Sequence, residues 1–121
     1  MQHLSSYSQN SDSRGGFIGI TRDPWCEVNF IETNAGAVRG GHYHKETREM
    51  FFIIEGEIDI ELEHVHTGAK VKFTAKKGDQ FIIDPCELHT FKCRTHSQWI
   101  NMLSKPLDPV NPDFHRVETR S

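Results

Sequence analysis

Two histidines one residue apart, followed by a glutamate, mark a candidate metal site in the stretch GGHYHKETREMFF at residues 40–52. On a strand, residues i and i+2 point to the same side, so His42 and His44 should face one way together. Glu49 follows the short polar turn KETR and can return to the same space from the next strand. A third histidine, His89, begins another alternating strand. Imidazole nitrogens and a carboxylate oxygen that converge from three strands suit zinc, iron, manganese, nickel or copper, and do not suit calcium.

Other histidines and cysteines are assigned structural roles. His64 and His66 share a strand face beside the hairpin turn HTGA, but no third ligand is in view, so a solvated hairpin end is favoured over a second metal site. Cys86 and Cys93 are interpreted as buried thiols that act as small hydrophobes.

The segments that must position these residues are short strands separated by turns. Eight apolar or alternating segments follow one another: GFIGI, WCEVNFIET, MFFIIEG, EIDIELEHVH, AKVKFTA, QFIIDP, LHTFKCR and QWINML. Gly56, HTGA and KKGD supply the turn residues of hairpins. No segment shows a sustained 3.6-residue apolar period, so helix should be minor. The pattern predicts one all-β domain, a sandwich or closed barrel such as a jelly roll, over residues 14–121. Residues 1–13, rich in Ser, Gln and Asn, are expected to form a flexible N-terminal arm.

Composition excludes several classes of partner. The chain has 121 residues and a formal net charge of −3, so no basic stripe is available for nucleic acid. The longest apolar run, Met50–Ile54, is too short to span a bilayer. The three cysteines and the absence of a signal-like N-terminus lead us to expect a cytoplasmic protein. Because a small open jelly roll has edges to cover, we expect a homodimer.

The spacing of the candidate ligands resembles the two motifs of the cupin superfamily. The first motif is matched at every fixed position by Gly36-(five)-His42-x-His44-(four)-Glu49-(six)-Gly56. A later stretch resembles the second motif: Gly78-Asp79-(six)-Cys86-(two)-His89, with Cys86 in place of the usual turn glycine. The resemblance implies a double-stranded β-helix and a divalent metal ion held by His42, His44, Glu49 and His89. Since both motifs occur in order, metal binding is favoured over four unrelated polar side chains on the rim of a sandwich.

The flanking segments resemble cupins that act on nucleotide-linked sugars. DSRGGF at 12–17 is similar to the opening of such enzymes. KPLDPVNPDF at 105–114 is similar to the tail of the cupin domain in bifunctional capsular polysaccharide-synthesis enzymes. RGGHYHK at 39–45 fits both that group and the deoxysugar 3,4-ketoisomerases. The resemblance implies that the ketoisomerases work without metal and lack the glutamate, so Glu49 favours the metal-bearing group.

These resemblances imply an epimerase or isomerase of a nucleotide-linked 4-keto sugar. Arg39 is a candidate for gripping a pyrophosphate through its planar guanidinium. Tyr43 is a second candidate substrate-binding residue, although strand alternation points it away from the histidines unless the two glycines at 40–41 form a bulge. Without metal, His42 and His44 would act as proton shuttles. Two alternatives stay open: a small Fe(II)-dependent cupin dioxygenase and a non-catalytic ligand-binding cupin.

Overall fold

Eleven strands form the regular structure of residues 1–117, the part of the chain that the computed structural model describes. In chain order they are β1 Gln2–Leu4, β2 Ser8–Asp12, β3 Gly15–Gly19, β4 Glu27–Thr33, β5 Val38–His42, β6 Glu49–Glu55, β7 Glu57–His64, β8 Lys70–Lys76, β9 Gln80–Ile83, β10 Glu87–Cys93 and β11 Ser97–Leu103. Five strands make one sheet in the order β1-β9-β6-β11-β4, and four make a second in the order β5-β10-β7-β8. β2 and β3 form a separate hairpin. Within these residues, no helix has the length and apolar character needed to cross a membrane.

The two larger sheets bury a shared core. Strict alternation along β7 turns Ile58, Ile60 and Leu62 inward, where they belong to one apolar cluster with Phe51 of β6 and Phe91 of β10. None of these five side chains is more than 3% exposed. Full burial of such a side chain stabilises the folded state by about 1.5–3 kcal/mol, so this cluster is what holds the sheets together. All strand pairs are antiparallel. The architecture confirms the predicted all-β jelly-roll class.

The N-terminal thirteen residues contain more regular structure than their composition indicated. They were expected to be a flexible arm, but β1 pairs with β9, with Gln2 opposite Ile82, and β2 pairs with β3. The physical reason is that a sheet edge bonds through its backbone, so polar side chains do not prevent a segment from completing it. Without β1, the backbone of β9 would lie at the edge of the five-stranded sheet.

Candidate metal centre

A β-bulge at two glycines places the first histidine. In the pairing of β5 with β10, His42 lies opposite His89 and Gly40 lies opposite Thr90, so that Gly41 has no partner. Both glycines have positive φ, +104° and +74°. A Cβ on Gly40 would lie 2.4 Å from the carbonyl oxygen of His89, so the close approach of the two strands requires glycine there. The bulge ends β5 at His42 and sets its ring beside that of His89, with 4.5 Å between ring centroids.

The four predicted ligands converge in the structure. His44 lies just beyond the end of β5 rather than within a strand, while Glu49 begins β6 and His89 lies in β10. One ligand atom from each of His42, His44, Glu49 and His89 lies within 4.8 Å of all the others. His44 Nε2 contacts Glu49 Oε1, and His89 Nε2 lies 3.5 Å from the same oxygen. Two donors about 2.1 Å from a tetrahedral ion are about 3.4 Å apart, so the last distance fits a shared metal.

Three of the four candidate ligands are oriented by hydrogen bonds to the atoms that face away from the cluster. His44 Nδ1 donates to the carbonyl oxygen of Asp113. His89 Nδ1 donates to the carbonyl oxygen of Glu87 over 3.1 Å. Asn101 Nδ2 donates to Glu49 Oε2 over 3.0 Å, which leaves Oε1 facing the histidines. Outer partners of this kind fix the ring orientation and tautomer of metal-binding histidines.

The charges of the cluster also suit a metal ion. Burial, assisted by nearby His89, lowers the pKa of His42 to about 4, and burial lowers the pKa of His89 as well. Burial alone would raise the pKa of Glu49, but the hydrogen bond with His44 and the nearby His89 bring it below its ordinary value. Burial alone would lower the pKa of His44, but the hydrogen bond with the charged Glu49 outweighs burial and raises that pKa above its ordinary value. Two neutral imidazoles and an ionised carboxylate therefore face the centre, and a cation can replace the proton that His44 shares with Glu49.

A cavity of about 400 Å³ opens onto the cluster. Its walls include Phe51, Phe91 and Trp99 from the sandwich interior. Phe114 closes one side by stacking on His42, with ring centroids 4.1 Å apart. This volume lies within the range of small-molecule sites, which are typically about 300–1,000 Å³. The cluster can thus reach a bound ligand and is not sealed in the core.

The two predicted substrate-binding residues differ in position. Arg39 lines the cavity, and its guanidinium donates to Thr33 Oγ1 over 2.6 Å and to the carbonyl oxygen of Glu32 over 3.1 Å. Tyr43 instead packs its ring beside that of His115, with 5.5 Å between centroids, although the glycine bulge is present. Arg116 is a second arginine on the cavity lining.

His64 and Cys93 take the structural roles expected of them, whereas Cys86, which was expected to be a buried thiol, is only half-buried. His64 Nδ1 accepts from two backbone N–H groups of the hairpin turn, over 3.2 and 3.3 Å, which caps the turn. Cys93 is 1% exposed and belongs to the apolar core. Cys86 adopts a left-handed backbone with φ +67°, the conformation of the glycine that it replaces, and its N–H donates to the carbonyl oxygen of His44 over 2.6 Å. This bond ties the second motif to the first.

Residues outside the two motifs complete the site. Asn101 is a polar residue at an inward-facing position of a buried strand, and this break in the apolar pattern could have identified it from the sequence. Asp113, Phe114 and Arg116 come from the C-terminal segment, where the sequence shows no local pattern that predicts contact with a histidine over 60 residues away.

The jelly roll has the cupin-type fold, and the histidine and glutamate cluster lies within it. The chain belongs to the polysaccharide biosynthesis C-terminal domain family, whose sequence pattern matches residues 10–113. The match confirms the resemblance to capsule-enzyme cupins that the flanking segments indicated.

Known relatives carry this domain within longer chains. A UDP-2-acetamido-2,6-beta-L-arabino-hexul-4-ose reductase from Pseudomonas aeruginosa is 36% identical over 61 residues, which are 50% of this chain and 16% of the reductase. The capsular polysaccharide assembling protein CapF from Staphylococcus aureus is 24% identical, with a TM-score of 0.71 over 93% of this chain and 34% of CapF. This chain therefore spans about a sixth of the reductase and about a third of CapF.

A second similar structure is comparable to this chain in length. The dTDP-4-dehydrorhamnose 3,5-epimerase from Bacillus anthracis has a TM-score of 0.81 and 14% identity over 95% of this chain and 77% of the epimerase. That structure contains bound TDP and pyrophosphate. At this level of identity, and at that of CapF, the structural likeness establishes a shared fold.

Proposed function

We propose that this cupin binds a divalent metal ion and catalyses epimerisation or keto-isomerisation of a nucleotide-linked 4-keto sugar in polysaccharide biosynthesis. The observation that carries the proposal is the convergence of three histidines and one glutamate on a cavity large enough for a small molecule. The names of the similar proteins support this substrate class, since the reductase and the epimerase both act on nucleotide-linked sugars.

The ion would be held by His44, Glu49 and His89, whose outer atoms are fixed by hydrogen bonds. His42 lies in the same cluster, and this three-ligand arrangement leaves its ring nitrogen free of the ion. A divalent ion in this position would polarise the substrate carbonyl and stabilise the negative charge that develops on its oxygen. Zinc, iron, manganese and nickel all accept this mixture of nitrogen and oxygen donors.

We assign proton transfer to His42. It is less buried than the other three ligands, and it lines the cavity. Its lowered pKa keeps the imidazole neutral at pH 7, so that it can accept a proton from the carbon beside the carbonyl. As the proton moves to His42, the C–H bonding electrons form a carbon–carbon double bond to the carbonyl carbon, and the C=O π electrons move to the carbonyl oxygen to give an enolate. Delivery of a proton from solvent water to the opposite face of the same carbon gives the epimer, and His42 then returns its own proton to solvent. Delivery of the proton from His42 to the former carbonyl carbon gives the isomeric ketone, provided that the hydroxyl proton of the neighbouring carbon passes to the former carbonyl oxygen.

The substrate's diphosphate would lie against the two arginines of the cavity lining. Arg39 and Arg116 are both exposed side chains that line the cavity, so they lie toward its solvent side. A guanidinium offers parallel N–H donors that match phosphate oxygens. Trp99 and Asn101 also line the cavity, and their buried atoms Nε1 and Oδ1 have no hydrogen-bond partner among residues 1–117.

Deuterium exchange tests the proposed reaction directly. Metal-loaded protein is incubated in heavy water with a dTDP- or UDP-linked 4-keto sugar, and the ring protons are followed by NMR. We expect deuterium to enter at a carbon next to the ketone. The variant His42→Gln should lose this exchange while it retains bound metal, and His64→Gln, which alters a histidine at the hairpin end, should retain both.

The same samples separate the alternative functions. Oxygen consumption by the Fe(II)-loaded protein with a thiol or diketone, without ring exchange, would replace the sugar assignment by a dioxygenase. Tight binding of the nucleotide sugar with neither exchange nor oxygen uptake would indicate a ligand-binding cupin. Equal loss of metal from His42→Gln and from His89→Gln would return His42 to the role of a metal ligand.

A further inference from the structure

The C-terminal segment passes directly over the turn that joins two of the metal ligands. Tyr43 and His115 exchange two backbone hydrogen bonds, over 2.9 and 3.0 Å, which hold this segment against the chain next to His44. Two residues earlier in the segment, the carbonyl oxygen of Asp113 accepts the hydrogen bond from His44 Nδ1. His44 is therefore held by a residue 69 positions away in the sequence.

The side chain of Asp113 organises the same turn. Its carboxylate accepts from the backbone N–H groups of Lys45 and Glu46, both over 2.8 Å, and of Thr47 over 2.9 Å. It also accepts from the Thr47 hydroxyl over 2.9 Å. One carboxylate thus satisfies three consecutive backbone donors of the short turn that leads from His44 toward Glu49. Hydrogen bonds to an ionised group are stronger than those between neutral groups.

The two sets of contacts have one geometric consequence. A carbonyl oxygen can only accept, so the Nδ1 of His44 must carry a hydrogen and its Nε2 must face the cluster. The turn also fixes the separation between the backbones of His44 and Glu49, because the N–H groups of residues 45–47 all donate to the same carboxylate. Both the orientation of the ring and its distance from Glu49 depend on Asp113.

We propose that Asp113 is a positioning residue of the metal centre, which fixes the His44 ring and the turn to Glu49 in the geometry that a divalent cation requires. The inference rests on the cation-binding part of the proposed function and is independent of the sugar chemistry. Asp113 does not bind the cation itself, since its carboxylate is directed at the backbone of residues 45–47. It acts as an outer partner supplied by the C-terminal segment.

The test compares three variants in the full chain: Asp113→Ala, Asp113→Asn and the control Asp108→Ala. Asp108 is an acidic residue of the same segment that also caps backbone N–H groups, those of Val110 and Asn111, over 2.9 and 3.3 Å. Zn²⁺ affinity is measured by competition with a chromophoric chelator, and the absorption spectrum of bound Co²⁺ reports the ligand geometry. Circular dichroism checks that each variant is folded.

We expect Asp113→Ala to weaken Zn²⁺ binding by about tenfold to a hundredfold and to change the Co²⁺ spectrum. Asp113→Asn, which keeps one acceptor oxygen in the same space, should lie between the alanine variant and the natural protein. Asp108→Ala should match the natural protein. If Asp113→Ala does not fold, the comparison is made with Asp113→Asn. Unchanged Zn²⁺ affinity and an unchanged Co²⁺ spectrum in a folded Asp113 variant would overturn the inference.

A metal-free readout separates this inference from the proposed function. The proton on His44 Nδ1, donated to the Asp113 carbonyl, should be protected from exchange and visible in NMR spectra of histidine ring nitrogens. If the natural protein binds neither Zn²⁺ nor Co²⁺, the metal proposal fails. Loss of that protected proton in Asp113→Ala would then still support the positioning of His44 by the Asp113 carboxylate. Its retention would show that the carboxylate is not needed to hold the backbone carbonyl against His44, and would refute the inference.

Discussion

Substitution of Gly40 by alanine tests whether close approach of two strands builds the site. The added Cβ would lie 2.4 Å from the carbonyl oxygen of His89, 3.2 Å from its carbonyl carbon and 3.2 Å from the Cα of Thr90. All three are backbone atoms, so no side-chain rotation can relieve the contact. β5 must therefore move away from β10, and the ring of His42 must move away from that of His89.

Two separate terms determine how much Gly40→Ala lowers the free energy of unfolding. A left-handed backbone costs an L-residue about 1–2 kcal/mol relative to glycine. Forcing extra volume into a packed contact adds about 1–3 kcal/mol. The total of about 2–5 kcal/mol should lower the melting temperature by roughly 8–20 °C, at about 4 °C per kcal/mol for a domain of this size.

Gly68 provides the matched control. Its φ is +73°, but nothing lies within 4 Å of the position that its Cβ would take. Gly68→Ala should therefore show only the backbone cost of about 1–2 kcal/mol. Thermal unfolding of both variants is followed by circular dichroism in the presence of a chelator, and Zn²⁺ affinity is measured in parallel. If Gly40→Ala is no less stable than Gly68→Ala and binds Zn²⁺ as tightly as the natural protein, the close approach does not determine the site.

Three further predictions concern the outer shell of the site, the core and the assembly. Asn101→Ala removes the donor that orients Glu49, so Zn²⁺ affinity measured by competition should fall by about tenfold to a hundredfold, and unchanged affinity would refute the orienting role. Phe91→Ala should lower the free energy of unfolding, measured by chemical denaturation, by about 3–5 kcal/mol, because the side chain is only 3% exposed within the apolar core. A decrease of less than about 1 kcal/mol would show that the core is not packed as described. Light scattering at micromolar concentration should show a homodimer that covers the exposed Val28 and Phe30 of the edge strand β4, and a monomer would contradict this.

The strands and the four candidate ligands were predictable because their signals are local. Alternation along EIDIELEHVH specifies which side of β7 is buried, since a strand has a side-chain period of two. The clustering of the four side chains was predictable because the spacing of His42, His44 and Glu49 matches one motif and His89 lies in a second. The expectation that both histidines of the pair lie on one strand was less accurate, since β5 ends at His42. The two consecutive glycines in the sequence are compatible with a bulge. The sequence does not indicate the close contact between the backbones of Gly40 and His89, which is what requires glycine at position 40.

The C-terminal contribution was not predictable, and the reason lies in the kind of interaction involved. Asp113 acts through its carbonyl oxygen and through bonds to three backbone N–H groups, so its partners have no distinctive side chains that the sequence could reveal. The segment has no periodicity either, because it contributes single contacts and not a buried face. The first strand shows the same limit, since β1 is paired through its backbone with β9 while two of its three residues are polar. Side-chain patterns specify the inner layers of this fold, whereas backbone contacts that determine how the site is closed become visible only in three dimensions.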